Sequence, residues 1–576
     1  MQSRSLGFLR NVVVVLAACL ACQAWGGATD SSRFQAERVV VFGDVHGAYG
    51  RLRDLLMKAG ITDAEGHWQA GETHLVSLGD LLDRGPDSRK AMDLLRRLQG
   101  EAAAAGGRVH VVLGNHELMN LTGDLRYVSA EERAALADLA ADGLDGVNAA
   151  FAADGVYGSW LLQQPAVVVV NDSAFVHGGL SSLLEGRSVE RLNRDAADML
   201  RELLALRAAL EAGGVLSPGS EVNDAADQLA ARLAEDDELP DDQQRAARRF
   251  VELARDPLFG GEGPFWYRGN ASCPALIEQP PLRRVLAAWG VARVVVGHTP
   301  TPDHRVLGRL DGAVVLADTG MLASYYGGRA SAVVIEADGI HVVYADGPAS
   351  TVTEDDGGLL FPLAETEVLA KLASTGRTVL ADADRSEWYP LALTESDPLA
   401  VKFERRGRQQ RNAELAALRL DRLLGLGLVA PVVELTVGRD DGVVTALWPG
   451  AVSEAERAAA GLAPPNTCAM GNAFDLLYAF DALIGNEGRS AQNMVYDRRT
   501  WRLGSIDHGD GFGRGERFPA YVERTPQRLP QGLARRLREL DEETLQAELG
   551  DLLDERRIRA LLARRDALLA TWQVLD

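Results

Sequence analysis

Five short apolar runs, each closing on a glycine-bearing loop with carboxylate, imidazole or amide side chains, constrain this chain more than any other feature. Val39–Phe42 leads into Gly43-Asp44-Val45-His46-Gly47, Leu75–Leu78 into Gly79-Asp80-Leu81-Leu82-Asp83-Arg84-Gly85, and Val109–Leu113 into Gly114-Asn115-His116-Glu117. Phe175–Val176 leads into His177-Gly178-Gly179, and Arg293–Val296 into Gly297-His298-Thr299-Pro300. Singly, a strand-end Asp reads as a turn former, and a lone His as a structural side chain. Ordered on successive strand ends, they form a mixed nitrogen and oxygen donor set held rigidly with one face open, which is what a pair of divalent cations needs. The glycines let backbone and ligand approach where a Cβ would obstruct.

The surrounding pattern predicts an α/β body over residues 35–345. Further strand candidates are Val167–Val170 and Val314–Ala317, and Ala332–Ile335 and Ile340–Val343 flank the hairpin signal Asp338-Gly339. Ser182–Arg255 is long, acidic and helical in period, and reads as an insertion. Residues 346–358 (DGPASTVTEDDGG) show no periodicity and many breakers, which predicts a linker. Residues 360–576 then form a second, smaller body.

Composition narrows the class. Of 576 residues, 47% are hydrophobic and 25% charged, too apolar for a disordered chain. A formal net charge of −22 argues against a nucleic-acid partner, because a phosphate backbone selects basic faces. Four cysteines in this length exclude a disulfide-stapled scaffold, and the distant Cys273 and Cys468 have no pairing set by the sequence.

Residues 1–28 contain Arg4 and Arg10, no acidic residue, and an apolar run from Val12 to Ala21. That is a basic region followed by a hydrophobic stretch of signal-peptide length, too short to span a bilayer. Two exits are open: Leu16-Ala17-Ala18-Cys19 resembles a lipobox, with Cys19 lipidated, and the small residues around Ala24 and Ala28 suit ordinary cleavage. Either way the expectation is an exported protein, periplasmic or anchored as an envelope lipoprotein, with no membrane span in its mature part.

The donor loops resemble those of the calcineurin-like metallophosphoesterases, and within them the phosphoprotein phosphatase superfamily. The Shewanella-like protein phosphatases are similar in further segments: Gly158-Ser159-Trp160-Leu161, Gly263-Pro264-Phe265-Trp266-Tyr267-Arg268-Gly269, Asp318-Thr319-Gly320-Met321 and Tyr326-Gly327-Gly328. The resemblance implies a β-sandwich flanked by helices and a role for each matching residue. Asp44, His46 and Asp80 would hold one metal; Asp80, Asn115, His177 and His298 would hold the second. Asp80 would bridge them, and a hydroxide between the metals would attack phosphorus in line. His116, held by Asp83, would protonate the leaving oxygen, and Arg84 and Arg268 would grip phosphate oxygens. Mn, Fe, Zn and Mg all tolerate such ligands. The substrate implied is a phosphoprotein, on Ser/Thr or Tyr, or a small phosphoester. Symmetrical dinucleoside-tetraphosphate hydrolases share the skeleton and Gly85-Pro86 is reminiscent of them, but they lack an acidic residue at Asp83.

The second body resembles the compact atypical kinases, namely the secretory-pathway casein kinases and type II phosphatidylinositol kinases. Val401-Lys402-Phe403 precedes a helix opening at Glu414, and Asn493 and Ile506-Asp507-His508-Gly509 follow downstream. The resemblance implies a smaller α+β domain in which Lys402 and Glu414 pair to hold ATP phosphates while Asn493 and Asp507 hold Mg²⁺. Gly488 stands where that family carries its catalytic Asp, and glycine accepts no proton. The expectation is a pseudokinase with a regulatory or binding role. A bifunctional phosphatase–kinase is the alternative, and a scaffold without activity is the least favoured reading.

Overall fold

The computed structural model describes residues 32–575 except 142, 218, 235–238, 356–364, 380–388, 393–397, 449, 463–469 and 499. The expected signal segment with Cys19, and with it Cys22 and Cys468, lies outside the described residues. In chain order the strands of the first body are β1 (Arg33–Phe34), β2 (Val39–Phe42), β3 (His74–Ser77), β4 (Arg108–Val111), β5 (Val167–Val170), β6 (Ser173–Val176) and β7 (Arg293–Val296). They continue with β8 (Leu307–Arg309), β9 (Val314–Leu316), β10 (Ser331–Glu336), β11 (Gly339–Tyr344), β12 (Ser350–Thr351) and β13 (Thr353–Glu354).

Among the described residues these make two sheets, ordered β1-β5-β6-β7-β9-β8-β13 and β12-β11-β10-β2-β3-β4. The strands read as unbroken apolar runs because both of their faces are buried. Val39 and Val41 point with Val76, Val168, Phe175, Val295 and Val333 into a core between the sheets. Val40 and Phe42 point the other way, packing with Leu52 and Leu55 of helix Tyr49–Lys58 and Leu95 and Leu98 of helix Ser88–Ala104. On the second sheet, Val167, Val169 and Val176 belong to the same helix-side core as Leu282, Val285 and Leu286 of helix Ala275–Trp289. The result is a β-sandwich flanked by helices, as the family resemblance implies.

β2, β3 and β4 run parallel, as do β6, β7 and β9, so each group presents its carboxyl-terminal ends together. Ligands of α/β sheets collect at such ends. The acidic insertion is helical: Val189–Ala212, Val222–Ala234 and Asp241–Ala254.

Within the linker segment, Ser350–Thr351 and Thr353–Glu354 pair with the sheets of the first body. β12 adds to β11, and β13 runs parallel to β8 with Thr353 opposite Leu307. The second body holds an antiparallel sheet ordered Tyr389–Ala392, Pro398–Arg405, Asp440–Leu447, Val432–Val437. Helices Arg408–Leu424, Met470–Ile484 and Glu555–Thr571 pack around a separate core that also takes in Leu276 of the first body. No helix among the described residues is long and apolar enough to cross a membrane.

Candidate active site

The loops after β2, β3, β4, β6 and β7 converge on Asp80. Asp80 Oδ1 is 3.4 Å from His177 Nε2, and Asp80 Oδ2 is 3.7 Å from His46 Nε2. Asp80 therefore stands between two donor groups, one with each oxygen. On the first side Asp44 Oδ2 lies 3.7 Å from His46 Nε2. On the second, His177 Nε2 faces Asn115 Oδ1 at 2.9 Å and His298 Nδ1 at 3.1 Å. All six expected ligands are brought together and all are buried.

Backbone geometry makes this approach feasible. His46, Asp80, Asp83, Arg84 and His298 all take positive φ, between 47° and 72°, a cost that clusters at functional sites. Gly79, at φ 94°, and Gly114 pass so closely that a Cβ on Gly79 would lie 2.4 Å from the Gly114 nitrogen. Glu117 fastens the crossing: its carboxylate accepts the N–H groups of Gly114, Asp80 and Leu81, each at 2.8 Å. Burial, then the charge of Asp80, pushes the Glu117 carboxyl up to about 7.

The donor set fits cations. His177 Nδ1–H donates to the Leu78 carbonyl and His46 Nδ1–H to that of Leu82, which turns both Nε2 atoms into the cage. His177 Nε2 faces the acceptor oxygens of Asn115 and Asp80, an arrangement that calls for positive charge between them, and against burial the Asp80 and Asp44 charges push the ring up to about 9. Burial, followed by the neighbouring Asp318, drives the Asp44 carboxyl well up, and burial raises Asp318 to about 6. Asp318 Oδ2 and His298 Nε2 are buried without a hydrogen-bond partner.

Beside this cage His116 Nδ1–H donates to Asp83 Oδ2 at 2.5 Å, and Asn120 holds both Asp83 oxygens at 3.1 Å. His116 Nε2 points inward, 3.9 Å from Asp80 Oδ2. Geometry alone also groups it with His46 and Asp80 as a candidate ligand. Arg84 donates to His46 Nε2 at 2.5 Å and to the Tyr326 hydroxyl, with its guanidinium against the rings of Tyr127 and Tyr325, each at 5.2 Å. Arg268 is anchored by the His298 carbonyl at 2.6 Å and Thr299 Oγ1 at 3.1 Å.

Sequence reasoning passed over Glu117, Asp318 and Tyr326 as individual site residues. Glu117 sits three residues after the helix-capping Gly114 and accepts its backbone N–H, the half of a capping box that needs no N-cap side chain. Asp318 follows β9 just as Asp44 follows β2.

In the second body the expected Lys402–Glu414 pair is not formed. Lys402 Nζ lies 3.1 Å from Glu404 Oε1, while Glu414 accepts the His508 backbone N–H at 2.9 Å. Positions 402 and 404 share one face of strand Pro398–Arg405, so the nearer carboxylate wins. Arg406 bridges Glu404 at 3.0 Å and Asp507 at 2.7 Å. Asn493 is spent locally: its amide donates to the Gly488 carbonyl at 3.0 Å and its oxygen accepts the Ser490 N–H at 2.8 Å.

Residues 37–302 match the calcineurin-like phosphoesterase family model. An uncharacterized protein of Schizosaccharomyces pombe is 30% identical over 299 residues, covering 51% of this chain and 75% of that protein. Shewanella-like protein phosphatase 2 of Arabidopsis thaliana is 34% identical over 203 residues, or 28% of this chain and about half (52%) of that one. A cold-active protein-tyrosine phosphatase of a psychrophilic Shewanella species superposes with a TM-score of 0.42 at 29% identity, covering 57% of this chain and 85% of that one. Residues 37–302 belong to the calcineurin-like phosphoesterases, and the chain is a metal-binding hydrolase of the phosphatase type.

Proposed function

We propose that the first body hydrolyses phosphomonoesters on proteins, with a preference for phosphoprotein over dinucleoside polyphosphate. The observation that carries this reading is the His116–Asp83 pair, aimed at the Asp80 cage. Asp44, His46 and Asp80 would hold one divalent cation and Asp80, Asn115, His177 and His298 a second. Mn, Fe, Zn or Mg there would supply Lewis acidity and lower the pKa of water at the site.

The side chains divide the remaining work. Asp83 fixes the His116 tautomer and orientation, so the inward Nε2 carries the proton given to the departing alkoxide or phenoxide. Arg268, held by two oxygens at its base, presents its other N–H groups to phosphate, and the Arg84 guanidinium moves from His46 to a second pair of phosphate oxygens. Tyr127 and Tyr325 flank that position. Attack is direct and forms no phosphoenzyme.

The second body serves as a kinase-like domain without phosphotransfer, a pseudokinase with a binding or regulatory role. Gly488 in place of an acid, Lys402 committed to Glu404, and Asp507 committed to Arg406 support this reading against use of ATP and Mg²⁺. The protein is exported, to a periplasm or an envelope lipoprotein pool; the basic-then-apolar leader supports this.

The test compares the full chain, loaded with Mn²⁺, on a phosphotyrosine peptide, a phosphoserine peptide and diadenosine tetraphosphate. Turnover of the peptides at least about tenfold above the dinucleotide is expected; the reverse order would move the chain to the polyphosphate hydrolases. Incorporation of labelled phosphate from ATP, abolished by Asp507→Ala, would make the second body a true kinase.

A further inference from the structure

Arg268 sits at the start of a tight turn, helix Gly269–Ser272, and this turn is held from behind. Arg309, on β8 and almost fully buried, donates to the carbonyls of Asn270 and, at 2.9 Å, Cys273. Its Nε donates to Asp355 Oδ2 at 2.8 Å. The same oxygen accepts from Arg502 Nη2 at 2.6 Å, and Arg502 belongs to the second body. Asp355 itself is locked to β8, its N–H donating to the Gly308 carbonyl at 2.8 Å.

The turn also connects to the second metal-ligand loop. Asn270 Oδ1 accepts the Leu180 N–H at 2.7 Å, three residues beyond His177, and its amide donates to the Glu278 carboxylate at 2.5 Å. Glu278 also receives the Tyr267 hydroxyl at 2.7 Å, next to Arg268 in the chain. Helix Ala275–Trp289, which carries Glu278, meets the second body directly: a Cβ on Gly532 would lie 2.4 Å from the Leu276 carbonyl oxygen.

We infer that Arg502, through Asp355 and Arg309, is a positioning residue for the phosphate-binding Arg268, so that the second body sets the phosphate affinity of the first. The inference rests on the phosphatase reading above and adds a regulator to it. Two guanidinium groups share one buried carboxylate oxygen. Removing one cation re-aims the other, and Arg309 carries the two carbonyls of the Arg268 turn with it. Displacements of an ångström in substrate-positioning groups have large effects on binding and rate.

The full chain, loaded with Mn²⁺, provides the test. Arg502→Gln is expected to raise KM for p-nitrophenyl phosphate and the calorimetric Kd for inorganic phosphate together, by about 5- to 20-fold. Metal content is expected to stay at the wild-type value and kcat to change less than about threefold. Arg502→Lys, which keeps a cation opposite Asp355, is expected to recover much of the loss. Leu561→Ala, a cavity in the second core away from the network, is expected to lower thermal stability and leave both constants alone. Wild-type constants in Arg502→Gln, or an equal rise in Leu561→Ala, would overturn the inference while leaving the phosphatase reading intact. A wild-type chain that hydrolysed no phosphoester would overturn both.

Discussion

His116 and Asp83 are joined by a 2.5 Å contact in full burial, with the second imidazole nitrogen of His116 turned toward Asp80. Asp83 is thereby a residue that acts through His116. Asp83→Asn, which accepts the same proton less strongly and can turn its amide toward the ring, should lower kcat by about 10²–10⁴-fold. His116→Asn should fall by at least as much. Both variants should retain wild-type metal content by elemental analysis; loss of one equivalent in His116→Asn would make His116 a ligand instead of an acid.

Asp80→Asn removes the one carboxylate that faces both donor groups. It should reduce bound metal by at least half and abolish turnover. Chelation of the wild-type chain should also lower its melting temperature, because Asp44, Asp80 and Asp318 then lose the cations that offset their crowding. A cation that binds only the folded state adds about 2.7 kcal/mol at a hundredfold excess over Kd. Calorimetry before and after Mn²⁺ addition measures the difference.

Glu117→Gln tests the crossing of Gly79 and Gly114. Three N–H groups converge on the Glu117 carboxylate, and an amide must turn its own donors toward at least one of them. A loss of about 2–3 kcal/mol is expected by denaturant melting, together with weaker metal retention, since the Asp80 backbone is one of the three partners.

Asp421, in the second body, carries the pH prediction. Burial pushes its carboxyl up to about 7, against the pull of the Leu428 and Val429 N–H groups at 2.9 and 3.2 Å. A carboxyl raised on folding keeps its proton best in the folded state, so stability is highest at low pH and declines as pH climbs from about 4 to about 7. Asp421→Asn keeps an acceptor oxygen and carries no charge to desolvate. It should flatten that decline and stabilise the second body above pH 7 by about 1–3 kcal/mol, read from melts across the pH range.

The donor loops were legible because each carries rare side chains at the end of an apolar run, and an ordered series of such ends has few explanations. The helical insertion was legible from its 3.6-residue period. What escaped acts through the backbone or across long separations. Asp318 announces itself only by standing beside Asp44. β12 and β13 are two-residue strands with exposed side chains, so DGPASTVTEDD shows no alternation although Asp355 within it is buried between Arg309 and Arg502. The Lys402–Glu414 expectation followed a family pattern and overlooked Glu404, two residues away on the same strand face.

Helix Val189–Ala212 roots its first half, through Val189, Leu192, Ala196 and Leu200, in the catalytic core, while Leu203 and Leu210 of its second half belong to a satellite cluster with Val222, Leu229 and Phe250. At 24 residues it is a rod of about 36 Å. Amide exchange across the satellite helices is expected to follow the stability of their own small cluster rather than that of the catalytic core.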